Sequence, residues 1–180
     1  IGQSHYSFHK QLESGLADDF YLVAFDLRGH GASGKPWDTE AYIHSATWAQ
    51  DLAAVISATQ ARKPVIVAWS YGNLVLLDYI RQYDTSKIAG VLLTGSLGAL
   101  RPFTMPTEDD PNTAEFLHIR KLQLSPDPRD QAAAVERMVG WLTTEPFSAS
   151  QQSVFESIAM TFPAYARRAM YRLALIHTSE

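Results

Sequence analysis

Apolar residues along the chain fall into two kinds of run. Tyr21-Leu22-Val23-Ala24-Phe25, Val65-Ile66-Val67-Ala68-Trp69 and Ile88-Ala89-Gly90-Val91-Leu92-Leu93 are short and essentially unbroken, the pattern of strands buried on both faces. From Ser45 to Thr59 the apolar residues Trp48, Ala49, Leu52, Ala53, Val55 and Ile56 recur at spacings of three and four, with Asp51 on the opposite side, which predicts an amphipathic helix. Leu74 to Ile80 reads as a second helix. The order strand, helix, strand, helix, strand predicts an α/β fold, a partial doubly wound and mostly parallel sheet with right-handed crossovers. Ligands of such sheets gather at the carboxyl ends of the strands, so the turns after Phe25, Trp69 and Leu93 are where chemistry is expected.

The pattern changes at Arg101-Pro102. Several prolines and the acidic Glu108-Asp109-Asp110 precede helical periodicity over Thr113 to Leu124, Arg129 to Thr143, Ser150 to Thr161 and Ala164 to Ile176, broken at Pro126, Pro128, Pro146 and Pro163. No strand pattern interrupts them. The expected division is a partial core over residues 1–100 and a helical cap or lid over 101–180, without the long polar linker that would separate independent domains.

Composition narrows the partners. Of 180 residues 46% are hydrophobic and 19% charged, the net charge is -4 and the pI about 5.8, so no basic excess exists to neutralise nucleic acid or an anionic membrane. The absence of cysteine excludes disulfides, thiolate-bound metal and a cysteine nucleophile. No apolar stretch approaches a membrane span and no signal-peptide pattern opens the chain, which leads to an expectation of a cytoplasmic protein. The start at Ile1 and the stop at Glu180, after an apolar helical stretch without a capping glycine, suggest that both ends are cut. Oligomeric state is not legible.

The chemistry concentrates at Ala68-Trp69-Ser70-Tyr71-Gly72. A strand must reverse there into a helix, with small residues two places before and after the serine where the backbones approach, leaving one hydroxyl at the apex. Free N–H groups at the helix start point toward that apex, so the Tyr71 amide could stabilise an oxyanion. The plainer alternative is that Ser70 only caps the helix.

Phe25-Asp26-Leu27-Arg28-Gly29-His30-Gly31-Ala32-Ser33, followed about forty residues later by Val67-Ala68-Trp69-Ser70-Tyr71-Gly72, resembles the α/β-hydrolase superfamily. The likeness is close to about Gly98 and only of type, as a variable cap, thereafter. It implies a serine nucleophile, Ser70, no cofactor and a second oxyanion donor at Ile1, where the opening Ile1-Gly2-Gln3-Ser4 resembles the residues after the family's His-Gly pair. It also implies an acid and a histidine in the order Ser, acid, His, expected beyond Glu180. Asp109 or Asp127 with His118 or His177 are poorer substitutes, having no strand to position them. His30 is expected to pack the turn. His5 and His9 have metal-ligand spacing but no third ligand, so no metal site is expected.

Trp69, Gly95, Ser96 and Trp141 are the expected pocket residues. Of the cap's Phe116, Met138, Trp141, Phe147, Phe155, Met160 and Phe162, about a third should face it, the rest packing helices together. The expected activity is hydrolysis of carboxylic esters or related acyl compounds, the partner being a small-molecule acyl substrate. A non-catalytic small-molecule binder, or carbon–carbon hydrolase and perhydrolase or haloperoxidase-like chemistry on the same fold, stays open.

Overall fold

The computed structural model describes residues 1–95 and 111–177, with side chains through Leu173. Ser96, Asp109 and the His177 side chain lie outside the described residues. A 3-10 turn at His5–Phe8 leads into α1 (His9–Leu12) and α2 (Leu16–Asp19), and a second such turn at Thr39–Tyr42 precedes α3 (Ser45–Ala58). Beyond it come β1 (Val65–Trp69), α4 (Gly72–Tyr83), β2 (Gly90–Thr94), α5 (Pro111–Leu124), α6 (Pro128–Gly140), α7 (Ala149–Met160) and α8 (Ala164–His177). The helices anticipated from periodicity are all present. Two are signed in the sequence: Asp127 caps α6 just before Pro128, and Ser148 with Gln151 forms a capping box on α7.

One anticipated element is absent. Tyr21–Phe25 takes no strand assignment, and Tyr21 and Val23 are exposed. An apolar run states a preference for burial, but a strand exists only where a neighbour supplies the ladder of N–H and C=O partners; this run has no such neighbour among the described residues.

Contacts divide the chain into two compact units, the first comprising Ile1, Asp38–Phe103 and Ala169–Glu180, the second Gly2–Trp37 and Thr104–Arg168. In the first unit β1 and β2 pair in parallel, from Val65 opposite Gly90 to Trp69 opposite Thr94. Side chains alternate across a strand, so Ile66 and Ala68 share a face with Val91 and Leu93. Helix α4 packs against β1, and α3 against α4. Ala68 is buried, whereas Val65, Val67 and Leu92 on the opposite face are exposed. Two covered faces were expected; within this unit α4 covers the Ala68 face of β1, whereas Val91 on the same face of β2 is exposed. Its aromatic core is Tyr42, Trp48, Tyr71 and Tyr79, all nearly inaccessible, with Trp48 Nε1 donating to Tyr42 O at 3.1 Å and its ring edge-on to Tyr71.

The second unit fixes the Asp26–Lys35 loop through many short bonds. Asp26 accepts from the His5 N–H (2.6 Å), His5 Nδ1 (3.0 Å) and the Ala32 N–H (2.8 Å), while Ser33 Oγ donates to Asp26 O and Lys35 Nζ to Gly31 O. Burial opposes ionisation of Asp26, but the hydrogen bonds from His5 and Ala32 outweigh it and hold the carboxyl below its usual range. Gly31 has φ +44°, and a Cβ built on it would overlap the Asp26 carboxylate, so glycine is required there. Helices α6 and α7 bury Val135, Val139, Phe155 and Ala159 together, with Phe147 stacked on Phe155. The buried Arg167 donates to Gln131 Oε1 at 2.7 Å, and Gln131 Nε2 donates to Leu122, Gln123 and Ser125 carbonyls, closing the end of α5.

His30 packs the turn as anticipated. It is buried, its ring lies 4.0 Å from that of Phe162, and its Nδ1–H donates to Arg28 O at 3.0 Å. Nε2 has no hydrogen-bond partner among the described residues, and burial lowers the imidazole pKa to about 3. Because this value is depressed below the unfolded one near 6.5, the unfolded chain takes up a proton first as pH falls. The neutral imidazole therefore contributes stability that is whole above pH 6.5 and is lost progressively toward pH 3. Unfolding free energies from urea titrations should fall by about 1.4 kcal/mol for each pH unit lowered between about pH 6 and 4 from this group; His30→Gln should flatten the slope by about one proton, and equal slopes would exclude His30 as its source.

Candidate active site

β1 ends at Trp69 and α4 begins at Gly72, so the chain reverses within Ser70 and Tyr71. Ser70 stands at φ +52°, in the left-handed region, which costs a residue with a Cβ roughly 1–2 kcal/mol. It is half-buried, and its Oγ makes no hydrogen bond among the described residues. The plain capping role is not what the structure has: the N-cap of α4 is Tyr71, and no side chain bonds the free N–H groups there.

The end of β2 holds the turn. The Ser70 N–H donates to Thr94 O at 3.0 Å, extending the strand pairing one residue past Trp69. Asn73, fully buried in the first turn of α4, donates through Nδ2 to Ser70 O at 2.7 Å and to Thr94 O at 3.1 Å. Both neighbours are acceptors, so the amide nitrogen must be the group that faces them. The Asn73 backbone N–H also reaches Ser70 O, at 3.0 Å. Tyr71 is anchored by its ring, whose phenol burial pushes well above its usual pKa, the Asp78 charge adding to the effect. Its backbone N–H finds no acceptor among the described residues.

The anticipated residues separate into those brought to this turn and those that are not. Tyr71, Trp69 and Gly95 gather at Ser70: a Cβ built on Gly95, at φ +54°, would come within 3.3 Å of the Trp69 indole and 3.8 Å of Ser70 N. Ile1 belongs by its contacts to the same unit as Ser70, whereas Trp141 caps α6 in the other unit and is 45% exposed. Asp127 is committed as the α6 cap and to Arg129, and His118 is exposed. His5 and His9 face different partners, His5 the Asp26 carboxylate and His9 the Tyr6 carbonyl, where its ring also stacks on that of Tyr6. Asn73 and the Thr94 carbonyl were missed. The signal for Asn73 was present as a polar, poor helix former beside an apolar helical run, but its partner is 21 residues away.

The family model described as Alpha/beta hydrolase family matches residues 1–178. The chain belongs to that family. The alpha/beta hydrolase match is supported by a bifunctional esterase/perhydrolase of Acinetobacter calcoaceticus, 32% identical over 97 residues, which are 54% of this chain and 33% of that protein. Among solved structures, a candidate aryl esterase of Burkholderia cenocepacia superposes with a TM-score of 0.83 at 28% identity, over 94% of this chain and 60% of its own. The esterase RhEst1 of Rhodococcus sp. ECU1013 does so at 0.77 and 28%, over 94% and 61%. The chain thus spans about a third of the curated relative and three-fifths of these structures. No helix among the described residues is long and apolar enough to cross a membrane.

The glycines around the turn differ in what they tolerate. A Cβ on Gly72 would meet the Ala68 Cβ at 3.9 Å, an ordinary contact, and the position is helical, where alanine is favoured over glycine. Gly72→Ala should therefore leave stability within about 1 kcal/mol of the parent. Gly95→Ala, strained at positive φ and crowding Trp69, should lower it by about 1–3 kcal/mol; urea titration of the two variants side by side would show the contrast or refute it.

Proposed function

We propose that this alpha/beta hydrolase, as a whole protein, is a serine esterase. Its nucleophile is Ser70 and its substrate an ester of a small or medium apolar carboxylic acid. The observation that carries the proposal is the left-handed conformation of the half-buried Ser70 between β1 and α4, beside an N–H with no acceptor among the described residues. Ser70 Oγ adds to the ester carbonyl, and the negative charge that develops on the carbonyl oxygen is met by the Tyr71 amide at the start of α4, where the helix dipole also favours it. Ile1 is the second proposed donor. Collapse expels the alcohol, which leaves with a proton, and water then cleaves the acyl-serine to give the acid and regenerate Ser70.

A serine hydroxyl needs a hydrogen-bonded base oriented by a third group. Ser70 Oγ has no such bond among the described residues, so the base and its carboxylate are proposed to come from elsewhere in the whole protein. The pocket is proposed to include Trp69 and Gly95, which lie beside Ser70. The esterases among the relatives support the ester class, and the Acinetobacter calcoaceticus relative's double description favours a second reading, perhydrolysis, in which hydrogen peroxide replaces water at the acyl-serine and the product is a peracid.

The full-length gene product should be labelled by a fluorophosphonate and should hydrolyse p-nitrophenyl acetate. Ser70→Ala should abolish labelling and lower kcat by roughly 10³-fold or more. Labelling that survives the substitution would move the nucleophile elsewhere; binding of esters without turnover or labelling in the parent would favour a non-catalytic receptor.

A further inference from the structure

We infer that Asn73 is a positioning residue that aims the Tyr71 amide at the oxygen of the reacting carbonyl, an inference that rests on the serine-nucleophile reading above. The geometry begins with one peptide unit. The carbonyl of Ser70 and the N–H of Tyr71 belong to the same planar trans peptide and point in opposite directions, so whatever fixes the carbonyl fixes the N–H.

Two donors fix that carbonyl, the Asn73 N–H at 3.0 Å and Asn73 Nδ2 at 2.7 Å. The backbone donor alone belongs to the helical winding and would follow any rocking of the turn. The side-chain amide ties the peptide to a fixed outside point, since its second bond, at 3.1 Å, goes to Thr94 O, which also receives the Ser70 N–H at 3.0 Å. Ser70 is thus gripped on both sides, its N–H and its C=O each connected to one carbonyl at the end of β2. A left-handed serine persists only where its surroundings over-determine it, and Asn73 is the side chain that does so.

The burial of Asn73 gives a second line of support. It is wholly inaccessible, and its Oδ1 accepts no hydrogen bond among the described residues. An orphaned buried acceptor is destabilising, and an apolar residue would avoid it. Such a cost is expected where a polar group serves geometry rather than stability. Donation into the Ser70 carbonyl also polarises the peptide, making the Tyr71 N–H a stronger donor toward an anion.

The test uses the full-length gene product with p-nitrophenyl acetate and an aryl trifluoromethyl ketone, whose adduct with a serine carries an oxyanion. Asn73→Ala removes both side-chain bonds; Asn73→Thr keeps one donor and most of the volume, and decides the matter if the alanine variant does not fold. Each folded Asn73 variant should lose about 10- to 100-fold in kcat with KM changed by less than about threefold, because the interaction exists only once charge develops. The ketone's Ki should rise by the same factor as kcat/KM falls, with threonine intermediate. Unchanged kcat in a folded variant, or a lower kcat with the ketone's Ki unmoved, overturns the inference while Ser70→Ala remains inactive. Turnover surviving in Ser70→Ala overturns the nucleophile reading itself, and the inference with it.

Discussion

The carbonyl of Thr94 is the point on which the Ser70 turn depends. As the last residue of β2 it would ordinarily serve one ladder bond; here it accepts the Ser70 N–H and the Asn73 side-chain amide together. A carbonyl has two lone pairs, so both can be satisfied at once. The result is that a left-handed serine, unfavourable in an isolated chain, becomes the natural continuation of a parallel pair. Pairing of β1 with β2 therefore both builds the sheet and sets the dihedral angles of the residue that leaves it.

Packing behind the turn makes that arrangement stiff. Tyr71 is locked into the aromatic core with Trp48, which is tied in turn to the Tyr42 carbonyl, so side-chain burial and backbone position are set by the same contacts. Ala68 and Gly72 leave a gap that one methyl would just fill. Small size at these positions serves the approach of strand and helix, with room for slightly more than the glycine uses.

The second unit shows a different way of fixing a loop. The Asp26 carboxylate serves two backbone N–H groups and an imidazole, and Gly31 makes room for it. His30 contributes as a neutral, buried plate against Phe162. Charge, turn geometry and burial are each assigned to a separate residue of one short motif, and none of them performs chemistry in order to do so. Phe155 and Phe162 are buried while Met160 and Trp141 are not, so the aromatic content of the later helices serves mainly their packing.

The sequence by itself determined helices α3 to α8, the two paired strands and the position of Ser70 between β1 and α4, because periodicity, capping residues and turn glycines act over a few neighbours and are visible wherever they occur. It also marked Asp26 to Ser33 as a structural turn and His30 as part of its packing. Only the tertiary structure decided that Tyr21–Phe25 has no ladder among the described residues, that Ser70 is left-handed and that Asn73 reaches Thr94. These depend on which distant groups come within hydrogen-bonding distance, and neither propensity nor spacing carries that information: an apolar run cannot name its neighbour, and an asparagine at the start of a helix cannot show that a carbonyl twenty-one residues later will be waiting for its second proton.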